Sequence, residues 1–282
     1  MFLSYTWTSL GVSQAVLLTG NNLTSGPYAW QLPQCSISSN SYGGATGTYG
    51  LFGCIAITYG AISAVVLFYE PPLGQGVLLG FQTVQYPNSP SSGWTPWLYI
   101  GTNLILYAGD WTGSLWQVST SSAIPQGWHM AVVEEWYSGG TYYLALYLDG
   151  VLIGQSSTTS LPQLFGNGGP YPYHNIGTAY SKGSWPNTTQ TWFWFNGNIA
   201  YVALYNTTLV ASAVQSIYMG NRVTIGLMAE YVANNYDPRT GIWYDSSGKG
   251  YNITTAVVAG KYAPKESILW TLGTVGGVLT IY

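Results

Sequence analysis

Charge is what this 282-residue chain has least of: six Lys and Arg, nine Asp and Glu and two His, or 5 % charged residues where an ordinary soluble protein has roughly 25 %. Residues 1–221 hold a single basic side chain, Lys182, so the basic stripe that a nucleic acid requires is missing. With so few titratable groups, little protonation couples to unfolding, which predicts a fold resistant to acid. Networks of ion pairs are excluded as well, so any heat resistance must come from packing and assembly. A net charge of −3 gives weak self-repulsion and favours association.

Helical periodicity is equally scarce. No 3.6-residue period persists beyond about three turns, whereas short alternating runs recur between Gly, Pro, Asn and Ser, the pattern of an all-β fold. With 47 % apolar residues, 25 Tyr and 13 Trp the chain can bury a core, which excludes disorder despite 36 Gly, and its length suits one large β domain. Candidate strands are 97–107, 130–136, 142–148, 151–155, 192–195 and 199–205. Asp149-Gly150 between two apolar runs supplies the positive φ angles of a tight hairpin. One short helix is expected over Leu209–Met219, capped by Gly220-Asn221.

Cys35 and Cys54 lie 19 residues apart on expected neighbouring strands and form either a bridge or a pair of buried thiols. Four glycosylation sequons, at Asn22, Asn187, Asn206 and Asn252, point outside the cytoplasm. The opening MFLSYTWTSLGVSQAVLLTG lacks the positive start and unbroken apolar core of a leader; either a leader is already gone or release uses none. Leu51–Tyr69 is uncharged and long enough for a membrane helix. Its β-branched residues, Gly53 and Gly60, and the lack of Lys or Arg anchors favour two buried strands instead, CIAITYG and AISAVVLFYE, and no membrane span is expected.

The composition shifts at residue 222. Five of the six basic residues (Arg222, Arg239, Lys249, Lys261, Lys265) and four of the nine acids follow it. The expected organisation is a body over 1–221, a strand and turn segment over 222–265, and an apolar terminal strand over 266–282.

The stretch GWHMAVV at 127–133, followed by TYYLALYLDGVLIG, resembles the central hairpin of laminin-G-like, concanavalin A-like jelly rolls. FNGNIAYVALYN at 195–206, with LVASAVQSIY after it, is similar to that family's closing strand and short helix. LMAEY at 227–231 and GIWYDSSGKGYNIT at 241–254 are similar to the strand and turn that usually open such a domain, yet they follow the closing strand here. A circular permutation, a segment exchanged between subunits, or the start of a second domain would each account for this order. The resemblance implies an antiparallel jelly-roll sandwich. The uncharged, Gly- and Tyr-rich composition is also similar to surface and virus proteins of hyperthermophilic archaea.

The terminal run SILWTLGTVGGVLTIY, residues 267–282, is uncharged on both faces in strand phase, as a fully covered strand is. It lies in its own sandwich or in a groove of a neighbouring copy. In the second case Ile268, Trp270, Leu272, Val278 and Tyr282 make the subunit contact, and head-to-tail donation builds a filament. The N-terminal run FLSYTWTSL is an alternative donor.

Catalytic chemistry is hard to find. Glu134 and Glu135 are adjacent on a strand and point to opposite faces, so they are not a hydrolytic pair; Glu70, Asp110 and Asp149 are isolated in sequence. His129 reads as a structural strand histidine, and His174 alone builds no triad. Asp237, Asp245 and Asn252 near turns are ordinary turn residues before they are calcium ligands. In WFWF at 192–195, Trp192 and Trp194 share one face and Phe193 and Phe195 the other; the tryptophans stack on a sugar, meet another subunit, or lie under a second internal layer. The expectation is therefore a non-enzymatic extracellular subunit of a filament, pilus-like fibre or virion appendage, built from copies of itself by strand complementation and without cofactor or metal. The other reading is a lectin-like surface module that binds glycans or a host cell surface.

Overall fold

A computed structural model describes residues 28–237 and 239–258. The chain first forms β1 (Tyr28–Gln31), a small hairpin of β2 (Gln34–Ile37) and β3 (Gly47–Gly50), and helix α1 (Leu51–Tyr59). There follow β4 (Ala61–Glu70), β5 (Gly76–Gln82), β6 (Trp94–Ile100), β7 (Leu106–Trp111) and β8 (Leu115–Ser119). The middle of the chain gives β9 (Gly127–Ser138), β10 (Thr141–Leu148), β11 (Val151–Thr158), β12 (Tyr173–Ile176), β13 (Thr178–Tyr180) and β14 (Trp192–Trp194). It closes with β15 (Asn198–Tyr205), helix α2 (Ala211–Tyr218), β16 (Leu227–Asp237), β17 (Ile242–Asp245) and β18 (Thr255–Val258).

Two sheets result. One has the order β18-β1-β12-β5-β6-β7-β8, and the other β11-β10-β9-β4-β15-β16-β17. Neighbours along both paths are antiparallel and the two sheets pack over one apolar core, making the chain an all-β jelly-roll sandwich. The described residues of 222–258 join the same body: β16 pairs with β15, and β18 pairs with β1. The terminal run 267–282, the N-terminal run 2–10 and Asn22 lie outside the described residues.

Strands such as β4 and β5 do not alternate apolar with polar, because both of their faces are covered. On the outer side of the second sheet lies the 206–226 segment carrying α2, whose Val214 and Ile217 are fully buried. Over the outer side of the first sheet folds the β13–β14 hairpin with the loop that joins its two strands. There Ala179, Trp185 and Phe193 cover Val77, Tyr99 and Tyr107 in a second apolar cluster. Gly80 makes that close approach possible, since a Cβ there would sit 2.4 Å from the Ala179 Cβ and 2.8 Å from the Thr95 carbonyl oxygen.

Two expectations are corrected. Leu51–Tyr59 is a helix, not the strand CIAITYG. It is buried from Leu51 to Ile57 and apolar all round, so no amphipathic period marks it, and Gly60 at φ 76° stops it in the left-handed region before β4 begins. The expected strand 97–107 is two strands, β6 and β7, joined by a turn in which Leu104 takes φ 62°. The expected hairpin at Asp149-Gly150 is present, with φ 51° and 82°. Cys35 and Cys54 are bonded, with their Cα atoms 6.1 Å apart; the bridge ties β2 to α1 and not two strands to each other. Among the described residues no helix is long and apolar enough to cross a membrane.

Candidate functional site

One concave polar feature of the described surface is a cleft of about 490 Å³ where the segment after α2 meets the β17 turn. It is lined by Asn206, Arg222, Thr224, Gly226, Leu227, Met228, Ser247 and Lys249. Two of the chain's six basic side chains therefore share one cleft.

Two acids behind the lining hold it in place, Glu230 buried and Asp245 half-buried. Glu230 on β16 is 2 % exposed and receives both Nε and Nη2 of Arg222, the shortest contact being 2.6 Å, together with the Tyr201 hydroxyl at 2.9 Å. Arg222 also donates to the Ser246 carbonyl at 3.1 Å, which leaves Nη1 without a partner among the described hydrogen bonds. The hydrogen bond and charge of Glu230 raise the guanidinium pKa further, so this cation is permanent. Asp245 holds the opposite wall: it accepts the backbone N–H groups of Glu230, Ser247 and Tyr251 and the Ser247 hydroxyl, all within 3.0 Å. Its turn presents Lys249 exposed at the rim. The same bonds consume the oxygens that calcium would need, and Asn252 spends its side-chain oxygen on the Asp245 N–H. Among the described residues no three His, Cys, Asp or Glu side chains gather as a metal site requires.

The strongly perturbed acids lie elsewhere, inside the sandwich. Asp110 on β7 and Glu135 on β9 face each other across the two sheets, both 0 % exposed. Burial pushes Asp110 up to about 7 against the N–H groups of Leu164 and Trp111 that it accepts. Burial and then the Asp110 charge drive Glu135 well above the usual carboxylate range. Asp110 accepts more hydrogen bonds, from the Trp111 and Leu164 N–H groups and the Thr95 hydroxyl, so the proton resides on Glu135, whose other contact is the Trp97 indole N–H at 3.1 Å. Sequence spacing gave no sign of this pair. Both carboxyls are closed off from the surface.

Glu134 points the other way, as expected, to the α2 side. It accepts from Ser63 and from the Leu209 N–H, and burial lifts it to about 7. Glu70 is 1 % exposed with neither oxygen hydrogen-bonded, and burial carries it to about 8 against the pull of His129. Both ring nitrogens of His129 face acceptors, Asp149 at 2.7 Å and the Pro125 carbonyl at 2.8 Å, so the ring holds two protons. Burial opposes that charge, but the hydrogen bond and charge of Asp149 prevail and its pKa is raised. His174, fully buried against Phe52 and Phe81, is lowered to about 3 by burial and stays neutral.

Trp192 and Trp194 do share a face, yet they are not an open platform. Trp192 is 8 % exposed, Trp194 is half-buried, and Tyr86 packs edge-on against both at 5.2 Å, where a sugar ring would have to stack. Their strand doubles as part of the cover over the first sheet, with Phe193 turned inward. Among the sequons, Asn187 and Asn252 are exposed and Asn206 is half-buried at the cleft.

No protein-family model matches the sequence, and no curated protein matches it. Solved structures of similar shape exist. A Bacteroides ovatus protein, provisionally named a carbohydrate binding protein, is 14 % identical with a TM-score of 0.45 over 82 % of this chain and 58 % of that one. The present chain thus spans less than two thirds of that protein's length. The CBM40 of the Ruminococcus gnavus IT-sialidase gives 14 % identity and a TM-score of 0.42 over 67 % of this chain and 99 % of its own. The SAP-like pentraxin of Limulus polyphemus gives 13 % identity and a TM-score of 0.38 over 69 % of this chain and 76 % of its own. These neighbours are β-sandwich modules and supply no residue-by-residue correspondence for the cleft.

Proposed function

We propose that the chain is a lectin-like module that binds an acidic glycan in the Arg222–Lys249 cleft. The carrying observation is the cleft itself. Its volume falls within the roughly 300–1,000 Å³ of small-ligand sites. Arg222 is held rigid by Glu230 with Nη1 to spare, Lys249 stands exposed at the rim where a carboxylate can meet it, and Asn206 and Thr224 offer amide and hydroxyl partners for sugar oxygens. The Cys35–Cys54 bridge supports display in an oxidising, extracellular setting.

Titration calorimetry with sialylated and uronic-acid oligosaccharides tests the reading. The wild-type chain binds one of them, and Lys249→Ala weakens binding about tenfold, the effect of losing one charge-assisted contact. Silence toward every acidic glycan overturns the proposal.

A second reading, an extracellular fibre subunit joined to its neighbours by a donated strand, is favoured by one observation: β11 ends its sheet with no strand beyond it among the described residues.

A further inference from the structure

The α2 segment covers only part of the outer side of the second sheet. Its Leu209 N–H reaches Glu134 on β9, and its Tyr218 sits over the Asp149-Gly150 end of the β10–β11 hairpin, where a Cβ on Gly150 would meet the ring at 3.1 Å. Toward the opposite end of β9 and β10 the same face continues with side chains that reach solvent. Side chains alternate along a strand, so Trp136 shares the face of Glu134, and its register partner Tyr143 on β10 shares it too. Both rings are half-buried.

The two rings stack with centroids 5.0 Å apart and planes 14° from parallel. That separation matches the spacing of neighbouring strands, roughly 4.8 Å, so the rings stand up from the sheet and lean on each other across the strand gap. Each keeps one face turned away from the stack. Small residues floor both of those sides: Ala61 of β4 lies opposite Trp136, and Ser157 of β11 lies opposite Tyr143. Neutral polar groups frame the pair on the same face. Ser138 and Thr141 are the next register partners along β9 and β10, and Gln155 lies two residues from Ser157. Among the described hydrogen bonds none is made by these four side chains, by the Trp136 indole N–H or by the Tyr143 hydroxyl. The Gly139-Gly140 turn adds no side chain at the open end. Glu134, the acid on this face, is 2 % exposed and spends its carboxylate on Ser63 and Leu209.

We propose that the Trp136–Tyr143 pair is a platform for a neutral sugar ring, a second glycan site that is separate from the Arg222–Lys249 cleft and does not depend on it. A pyranose has an apolar C–H face and a rim of hydroxyls that both donate and accept. The open aromatic face takes the first, and the Ser, Thr and Gln side chains around it exchange hydrogen bonds with the second. Other ligand classes fit less well. A purely apolar ligand would leave those polar groups dry and unpaired, and an ionic one would find no exposed counter-charge on this face. The platform is pre-organised, because both rings rise from paired strands and hold each other upright.

The test is titration calorimetry of the full chain with neutral cello-, malto- and galacto-oligosaccharides, run on wild type, Trp136→Ala, Ser157→Arg and Lys249→Ala. Ser157 is exposed, so its arginine leaves the fold intact while filling the space beside Tyr143; thermal melts check this for both platform variants. Wild type binds one of the three series, Trp136→Ala and Ser157→Arg each weaken it about tenfold or more, and Lys249→Ala binds it as wild type does. Should Trp136→Ala melt early, Ser157→Arg carries the test alone. Neutral binding that survives Ser157→Arg overturns the platform, and so does a wild-type chain that binds none of the series. Self-association that Ser157→Arg abolishes, without any sugar binding, assigns the pair to a protein contact and overturns the proposal too. Silence toward acidic glycans beside intact neutral binding overturns the cleft reading and leaves this one standing.

Discussion

Replacing Glu134 by Gln isolates one buried acid and yields a measurable change in how stability follows pH. The Glu134 carboxyl is pushed from an ordinary 4.5 to about 7 in the folded chain. A raised value means that the folded state holds a proton that the unfolded state has released. Its contribution is complete below the unfolded value and is lost as pH rises through about 7. The gap of roughly 2.5 units corresponds to about 3 kcal/mol at 1.36 kcal/mol per unit. Asp110, Glu135 and Glu70 are raised by burial too, and they add in the same direction. His174 works against them: lowered to about 3, it makes the fold less stable as pH falls below 6.5. At pH 5 its penalty is about 2 kcal/mol, less than the gain from Glu134 alone. Urea denaturation across pH 5–9 should therefore show wild-type stability falling as pH rises. Glu134→Gln keeps an oxygen for Ser63 and the Leu209 N–H and cannot ionise, so it should flatten that fall by about 3 kcal/mol. Stability that climbs from pH 5 to 8, or an unchanged slope in the variant, refutes the reasoning.

Two further outcomes follow from the packing. Reducing the Cys35–Cys54 bridge, or replacing both cysteines by Ser, should lower stability by about 3 kcal/mol for a loop of this length, read from the shift of the urea midpoint under reducing conditions. Gly80→Ala should cost about 1–3 kcal/mol or more, because its methyl group meets Ala179 and the Thr95 carbonyl; a melt within 1 °C of wild type would mean that the hairpin does not lie on β5.

Local chemistry was legible in the sequence and distant pairing was not. The Asp149-Gly150 hairpin and the short helix before Gly220 could be read because a turn or cap is specified by adjacent residues. The α1 helix could not, since enclosure on all sides erases the polar stripe that reveals a helix. Uncharged strands showed that both sheet faces are covered, but not that the chain supplies its own covers, α2 and the β13–β14 hairpin. The same ambiguity made Trp192 and Trp194 look like a sugar platform when they belong to such a cover. For the cleft, the one signal was the rise in basic residues after 222; the Arg222–Glu230 pair and the Asp110–Glu135 pair join residues whose sequence neighbourhoods announce nothing.

Both covers attach to β15: the aromatic hairpin arrives just before it, and the α2 segment departs just after. Lifting either one bares an oily sheet face while the strands beneath keep their ladder. Heating should then make this protein sticky before it loses its β-structure, and the temperature that limits its working life is set by the detachment of a lid, not by the melting of the sandwich.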